Sequence, residues 1–330
     1  MGTAVTAVVG VDVSKASLDA CLLGPGGASR DRAFPNTPTG FAALLAWADR
    51  HAGGADAHFG MEATGGSEDA LATYLHAAGR AVSAVNPTRI ESAGIARGRG
   101  NETDEADARL IAADARDYRP AAWPPPAPEV RELQAMVRRR DDLRALAARE
   151  KARLGAPLLT PAARKSVARV VEFLSKEAAA LPAAADALTA ASPALKADRD
   201  LLASVPGVGA QTASTIVAEL PALDRVPSAQ SAAAYCGLSP REFESGTGVR
   251  GRTRLSKPGN ARLRTAPDLP TLTAVRFDPV RKAFDARLAA AGRPKMCALG
   301  ACLRKLVKTA YGGLKSRAPF DPAWASRIAP

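Results

Sequence analysis

Five of the ten residues from Arg119 to Pro128 are proline, in the order Arg-Pro-Ala-Ala-Trp-Pro-Pro-Pro-Ala-Pro. Proline fixes φ and removes a backbone donor, so neither a helix nor a central strand can run through this stretch, and it reads as an extended linker. The chain has 330 residues, room for two domains at roughly 150 residues each. The expected division is 1–118 as a first domain, 119–128 as the linker, 129–198 as a helical arm and 199–330 as a terminal domain.

Charge follows the same division. The formal excess is +12, yet residues 1–125 hold 11 basic and 15 acidic side chains, 126–200 hold 14 and 10, and 201–330 hold 20 and 8. An acidic first part and a strongly basic last part point to cation binding at one end of the chain and a polyanion partner at the other. No apolar run reaches the roughly 18 residues of a membrane helix, and the opening Met1-Gly2-Thr3-Ala4-Val5 has no basic start. The expectation is a cytoplasmic protein with no membrane partner. Cys21, Cys236, Cys297 and Cys302 match no zinc spacing and make no disulfide scaffold.

The first 118 residues read as α/β. A β-branched run over 5–13 and an apolar run over 18–23 form two strands, with a turn at Gly24-Pro25-Gly26-Gly27 before a third. Thr37 and Pro38 open a helix through Trp47; a strand over 57–62, a helix over 67–78, a strand over 81–85 and a helix from Thr103 to Tyr118 follow. Three strands in hairpin order and then alternating helix and strand is the element order of ribonuclease-H-like domains. Past the linker, residues 129–154 form a long helix and Thr160-Pro161 starts another. The pair is either an arm that joins subunits into a homo-oligomer, a dimer or tetramer, or a hairpin within one chain. Beyond 200 the chain is mainly short helices with basic loops. There Val205-Pro206-Gly207-Val208-Gly209 has the pattern of a helix-hairpin-helix, in which Gly207 and Gly209 let backbone N–H groups meet a phosphate. A plain turn between packed helices is the alternative.

Four acids stand out by position. Asp12 lies in Gly10-Val11-Asp12-Val13-Ser14-Lys15, inside an apolar strand, where a carboxylate is costly unless it meets a cation or donors. Glu62 ends a strand in Gly60-Met61-Glu62-Ala63-Thr64-Gly65, and Asp104 and Asp107 share a helix face in Thr103-Asp104-Glu105-Ala106-Asp107-Ala108. Together they could hold hard divalent cations, two magnesium ions or manganese in their place, to act on a phosphodiester. Each has a plainer reading: Asp12 as a turn ligand, Glu62 as a helix cap, and the Asp104 and Asp107 pair as first-turn acids behind the N-cap Thr103.

These strings, with Val205-Pro206-Gly207-Val208-Gly209 and Ser245-Gly246 downstream, closely resemble the insertion-sequence transposases of the DEDD type, the IS110 and IS1111 groups. The resemblance covers nearly the whole chain. It implies a domain like the RuvC Holliday-junction resolvases, a coiled-coil arm, and a transposase domain with a serine nucleophile. It also implies a structured bridge RNA that pairs with donor and target DNA. Carried over, the catalytic and metal-holding acids are Asp12, Glu62, Asp104 and Asp107, and the serine is Ser245. Arg241 and Arg250 flank Ser245 and can neutralise a phosphate there. Ser256, in Arg254-Leu255-Ser256-Lys257-Pro258-Gly259-Asn260, is a rival that chemistry alone does not exclude. His51, His58 and His76 all fall in the first domain and none has a catalytic context, so metal and carboxylates would lower the barrier for the hydroxyl and make the two domains interdependent. Arg250, Arg252, Arg254, Lys257, Arg262 and Arg264 are dense enough to track a phosphate backbone. Few aromatics accompany them, which suits recognition of shape over base stacking.

The sequence departs from the family pattern at Ala266-Pro267-Asp268-Leu269-Pro270, where an unbroken helix is expected. Two prolines and a buried acid cost several kcal/mol inside a helix, so either the helix starts later, with Pro270 near its first turn, or this copy is decayed. Gly312-Gly313 is a second soft spot. A nuclease using the acids alone, a non-catalytic nucleic-acid-binding remnant, and an actin-like sugar kinase suggested by Gly-x-Asp-x-Ser are the competing functions. The basic C-terminal half argues against the first and last.

Overall fold

The computed structural model describes residues 7–24, 27–53, 56–63, 66–98, 103–220, 223, 225–241, 244–245, 249–250 and 254–323, with backbone alone at 244–245 and 249–250. Contacts divide the chain into two compact units, Met1–Pro125 and Pro126–Pro330.

In the first unit β1 (Val8–Val13), β2 (Ser17–Leu23) and β3 (Ser29–Pro35) form an antiparallel meander. β4 (His58–Glu62) and β5 (Val82–Val85) join parallel beyond β1, giving the order β3-β2-β1-β4-β5. Side chains alternate across a strand. Val9, Val11 and Val13 of β1 and Leu18, Ala20 and Leu22 of β2 therefore share one face, and they pack with Phe41, Leu44 and Trp47 of α1 (Pro38–His51) and Leu71 and Leu75 of α2 (Asp69–Ala77).

The opposite face is covered by α4 (Asp104–Tyr118), and two glycines set how closely it lies. A methyl group on Gly10 would run into the Ala108 carbonyl and the Ala112 amide of α4, and one on Gly60 would stand 2.9 Å from Ala115 Cβ. Backbone packs almost on backbone there. Between β5 and α4 lies α3 (Pro87–Ala96), which the sequence reading does not contain. Its signal was present: Asn86 caps the Thr88 N–H at 2.9 Å and Pro87 takes the first helical position.

The proline-rich stretch is extended, and its first half is fastened to β5. Ser83 Oγ lies 2.9 Å from the carbonyl oxygens of both Pro120 and Ala121 and 2.8 Å from His58 Nε2. The Trp123 N–H donates to Val82 O, and its ring packs on the core.

In the second unit α5 (Pro128–Arg153) and α6 (Pro161–Ala191) pack along each other within one chain. They share a core of Leu133, Val137 and Ala185 with Leu195 of α7 (Pro193–Ala203) and Ala218 of α8 (Ala210–Glu219). Of the two readings of the arm, the chain itself contains the hairpin. Then follow α9 (Ala229–Tyr235), α10 (Ala261–Thr265), α11 (Asp268–Phe277), α12 (Pro279–Ala290) and α13 (Lys295–Ser316). The last of these buries Leu303, Leu306, Val307, Ala310 and Leu314 against α7, α8 and α9. Four two-residue strands, absent from the sequence reading, pair as β6 (Pro240–Arg241) with β9 (Arg254–Leu255) and β7 (Glu244–Ser245) with β8 (Val249–Arg250). Strands this short carry no periodicity that a sequence could show.

The segment at 266–270 is a helix break. α10 ends at Thr265 and α11 restarts at Asp268, so Pro270 falls in a first turn, where its missing N–H has no intrahelical partner to lose. Asp268 is exposed there, not buried, and it favours the helix dipole. Gly312 and Gly313 lie inside α13 without breaking it.

Candidate active site

Gly10 and Asp12 are two residues apart on β1, as Gly60 and Glu62 are on β4, so alternation puts both acids on the face that α4 covers. In the parallel register Val11 stands opposite Met61, so the next residues, Asp12 and Glu62, leave neighbouring strands at one level. The helix runs with Ala108 and Ala112 over Gly10. Its first turn, with Asp104 and Asp107, lies toward Asp12.

Electrostatics records this meeting. Burial first, and then the nearby Asp107, Asp104 and Asp19, push the Asp12 carboxyl up to about 6 from its ordinary 3.8, against a backbone hydrogen bond at Val13. Asp19 is directly opposite Asp12 across the β1 and β2 pair. Sequence reasoning missed it, although antiparallel alternation through a four-residue turn would have found it. The plainer readings resolve unevenly. The turn after Asp12 is held by Ser14, Ser17 and Asn36, and the N-cap position of α2 is taken by Glu68, without a side-chain cap hydrogen bond, and not by Glu62. Thr103 does cap α4, accepting from the Ala106 N–H at 3.3 Å, with Asp104, Glu105 and Asp107 in the first turn. That role is compatible with ion binding, because the same acids serve both.

Among the described residues, no three His, Cys, Asp or Glu side chains converge as a ready metal-binding group. Like charges repel. The donor set still fits a hard divalent cation by its chemistry, since every member is a carboxylate and Asp12 is held above its ordinary range by burial and then by neighbours of its own sign. Beside the cluster, Arg109 of α4 donates to Asp31 at 2.7 and 3.0 Å and to Glu105 at 2.6 Å, fastening the helix to β3.

In the second unit Ser245 pairs with Val249 on the hairpin of β7 and β8, and Glu244 with Arg250. Its flanks Gly246, Thr247 and Gly248, and Arg252, lie outside the described residues. Arg241 and Arg254 face each other across β6 and β9 and are exposed, as is Lys257. Ser256 is half-buried, with its N–H bonded to Ser239 O.

The other cations of the stretch are engaged by the fold. Arg262 pairs with Asp142 at 2.9 Å and Asp141 at 3.6 Å, and Arg264 donates to the carbonyls of Lys257 and Cys236. Below them sits a buried hub that sequence reasoning missed. Glu219, its side chain 1% exposed, takes two hydrogen bonds from Arg138 of α5, at 2.7 and 3.1 Å, and one from Asn260 at 2.9 Å. Asn260 also caps α10 through Leu263 N–H.

The turn between α7 and α8 treats its glycines differently. Gly207 has φ +90°, and a methyl group there would strike the Pro270 carbonyl of α11, so packing alone requires glycine. Gly209 is the exposed N-cap of α8 with open space around it.

A transposase family model, the DEDD type of IS110, matches residues 9–160, and the model described as "Transposase IS116/IS110/IS902 family" matches 199–286. The chain is 27% identical over 316 residues to the "Pilin gene-inverting protein" of Moraxella lacunata, and equally to that of Moraxella bovis, covering 95% of this chain and 97% of each relative. It is 28% identical over 150 residues to "Insertion element IS110 uncharacterized 43.6 kDa protein" of Streptomyces coelicolor, covering 46% of this chain and 36% of that one. The two family models take in the acids of the first unit and the hairpin of the second: the chain belongs to the IS110 family of DEDD transposases, enzymes that act on DNA.

Proposed function

We propose that this chain recombines DNA by cutting and rejoining phosphodiesters, using the acids of the first unit together with Ser245 of the second. The observation that supports the reading is that Asp107 and Asp104 stand near enough to Asp12 to add to the effect of its burial, and that together these push its carboxyl up to about 6. Asp12, Glu62, Asp104 and Asp107 would hold the divalent cation, two magnesium ions or manganese instead. Bound there, such a cation neutralises the developing charge on the phosphate oxygens. Ser245 Oγ would attack phosphorus as the P–O bond to one DNA strand breaks; the serine proton passes, through solvent, to the departing oxygen, which leaves as a free hydroxyl, and a serine phosphodiester forms. The hydroxyl of a second strand end would then attack that phosphodiester, its proton returning to Ser245 Oγ as the serine departs. Arg241 and Arg254, with Arg250, Arg252 and Lys257, would neutralise the DNA backbone near the hairpin.

Two partners complete the proposal. Sequence choice would come from a structured guide RNA pairing with donor and target, which suits a surface with few aromatics for base readout. A homo-oligomer is supported by the α5 and α6 arm, where Leu146, Leu158, Val170 and Phe173 are 42, 95, 42 and 62% exposed.

The test uses the full chain with element-end DNA and magnesium. Wild type should give a covalent protein–DNA adduct that Ser245→Ala and Asp12→Asn both lose while binding DNA normally, and Ser256→Ala should keep it. Strand cleavage by Ser245→Ala would sink the serine assignment in favour of a nuclease. Sequencing the nucleic acid that co-purifies should return one discrete structured RNA; random fragments would count against the guide.

A further inference from the structure

The helix α13 carries five cations and no acid. Its core face buries Cys302, Leu303, Leu306, Val307, Ala310 and Leu314. Helical spacing puts Arg304, Lys305 and Lys308 on the other side, each half-buried. None of these three forms an ion pair among the described residues. Asp285 of α12 lies near enough to raise the Cys302 thiol, but it pairs with none of them either.

The packing crowds these charges. The Phe284 ring of α12 takes Lys305 Nζ at 3.9 Å from its centroid and the Arg287 guanidinium at 5.2 Å. Arg287 and Lys305 thus share one ring. The Lys305 ammonium is lowered from its ordinary value by burial, and then by Arg287, Arg281 and Lys308, with only Cys302 acting in the other direction. Arg304 Nε is buried with no hydrogen-bond partner. A fold gains nothing by collecting Arg304, Lys305 and Lys308 with no counter-ion among the described residues; an anionic partner does.

The surface joins the basic loop. A methyl group built on Gly300 would touch Leu255 Cδ1 at 3.6 Å, so β9, which carries Arg254, rests on α13 at Gly300. Arg304 is one turn further along the same side, and Lys308 one turn beyond that, about 12 Å from Gly300 at roughly 1.5 Å per residue.

We propose that Arg304, Lys305 and Lys308 of α13, with Arg287 of α12, form a second docking surface for the phosphate backbone of duplex DNA, continuous with β9. It lies beyond residue 286, where the second family match ends. Duplex DNA is the occupant because the surface offers charge with no ring left free for stacking: Phe284 is half-buried and already carries Lys305 and Arg287, and Tyr311, the one aromatic of α13, is 3% exposed. Single-stranded or looped RNA is gripped by bases stacked on exposed rings, and neither of these two rings is open to them.

The experiment is fluorescence anisotropy of the full chain on a 30-base-pair duplex across a salt series. Each lost phosphate contact lowers the slope of log K on log salt by ~0.9. Lys305→Gln/Lys308→Gln should therefore flatten the slope by about 2 and weaken binding about tenfold at ~0.1 M salt. Lys305→Arg/Lys308→Arg should restore both, and the control pair Lys165→Gln/Lys176→Gln on α6 should change neither. As a readout that needs no variant, Lys305 and Lys308 of the wild type should be protected from acetylation by the duplex. Unchanged slope and affinity in the double Gln variant, unprotected lysines, or a loss confined to a structured RNA probe would each overturn the proposal. Ser245→Ala should keep the wild-type slope, so failure of the serine reading leaves this test unaffected.

Discussion

At the scale of single residues, Asp12 shows how a site is built at a cost to the fold. Its carboxyl is raised in the native state to about 6 from 3.8, so between those values the native state holds more protons than the unfolded chain, and stability falls as pH rises. The penalty is absent below about pH 4 and complete above about 6. Asp12→Asn should accordingly raise Tm at pH 7 in EDTA, the gain should vanish near pH 4, and divalent cation should stabilise wild type more than the variant; equal Tm at both pH values would remove the argument for repulsion. Gly10 makes the opposite point. Gly10→Ala places a methyl group against the α4 backbone, and the expected loss is roughly 2–3 kcal/mol or more in urea unfolding. The motif Gly10-Val11-Asp12 is thus legible as chemistry in the sequence, whereas the need for its glycine appears only when α4 is in place.

At the scale of elements, the helices were readable where caps and periodicity agreed, as with Thr37 before α1, Thr103 before α4 and Thr160 before α6. The break before α11 was readable as an alternative, and Pro270 at its first turn decides it. What the sequence hid was side-chain partnership across distant elements. Glu219 reads as one acid at a helix end, yet it joins α5, α8 and the cap of α10. Its partners differ in exposure, Arg138 at 37% and Glu219 at 1%. Removing Arg138 leaves a buried charge, while removing Glu219 leaves an arginine that can reach water. Arg138→Ala should therefore destabilise by about 3–5 kcal/mol and Glu219→Gln by clearly less, measured by chemical denaturation of the full chain. Equal losses would show that burial does not set the order. Gly207→Ala, strained at φ +90° and pressed on Pro270, should lower Tm without changing the salt slope of DNA binding if that turn serves packing.

At the scale of the whole molecule, the charge balances of −4, +4 and +12 along the chain fit an acidic α/β unit and a basic helical unit, the two compact units found at Met1–Pro125 and Pro126–Pro330. Expressed separately, residues 126–330 should bind duplex DNA with a steep salt dependence and residues 1–125 should not, and neither alone should yield a covalent adduct. Binding by the acidic unit would mean that net charge does not direct the nucleic acid. The sequence by itself determined the strand order of the first unit, its helices α1, α2 and α4 but not α3, its four candidate acids and the basic bias of the second, because these rest on local periodicity, capping and counted charge. Only the tertiary structure decided that Asp19 opposes Asp12, that Arg262 and Arg264 are engaged by the fold while Arg304, Lys305 and Lys308 form no ion pair among the described residues, and that Gly10 and Gly207 seat other helices. Those are facts of through-space distance between residues far apart in the chain, and a sequence carries no distance.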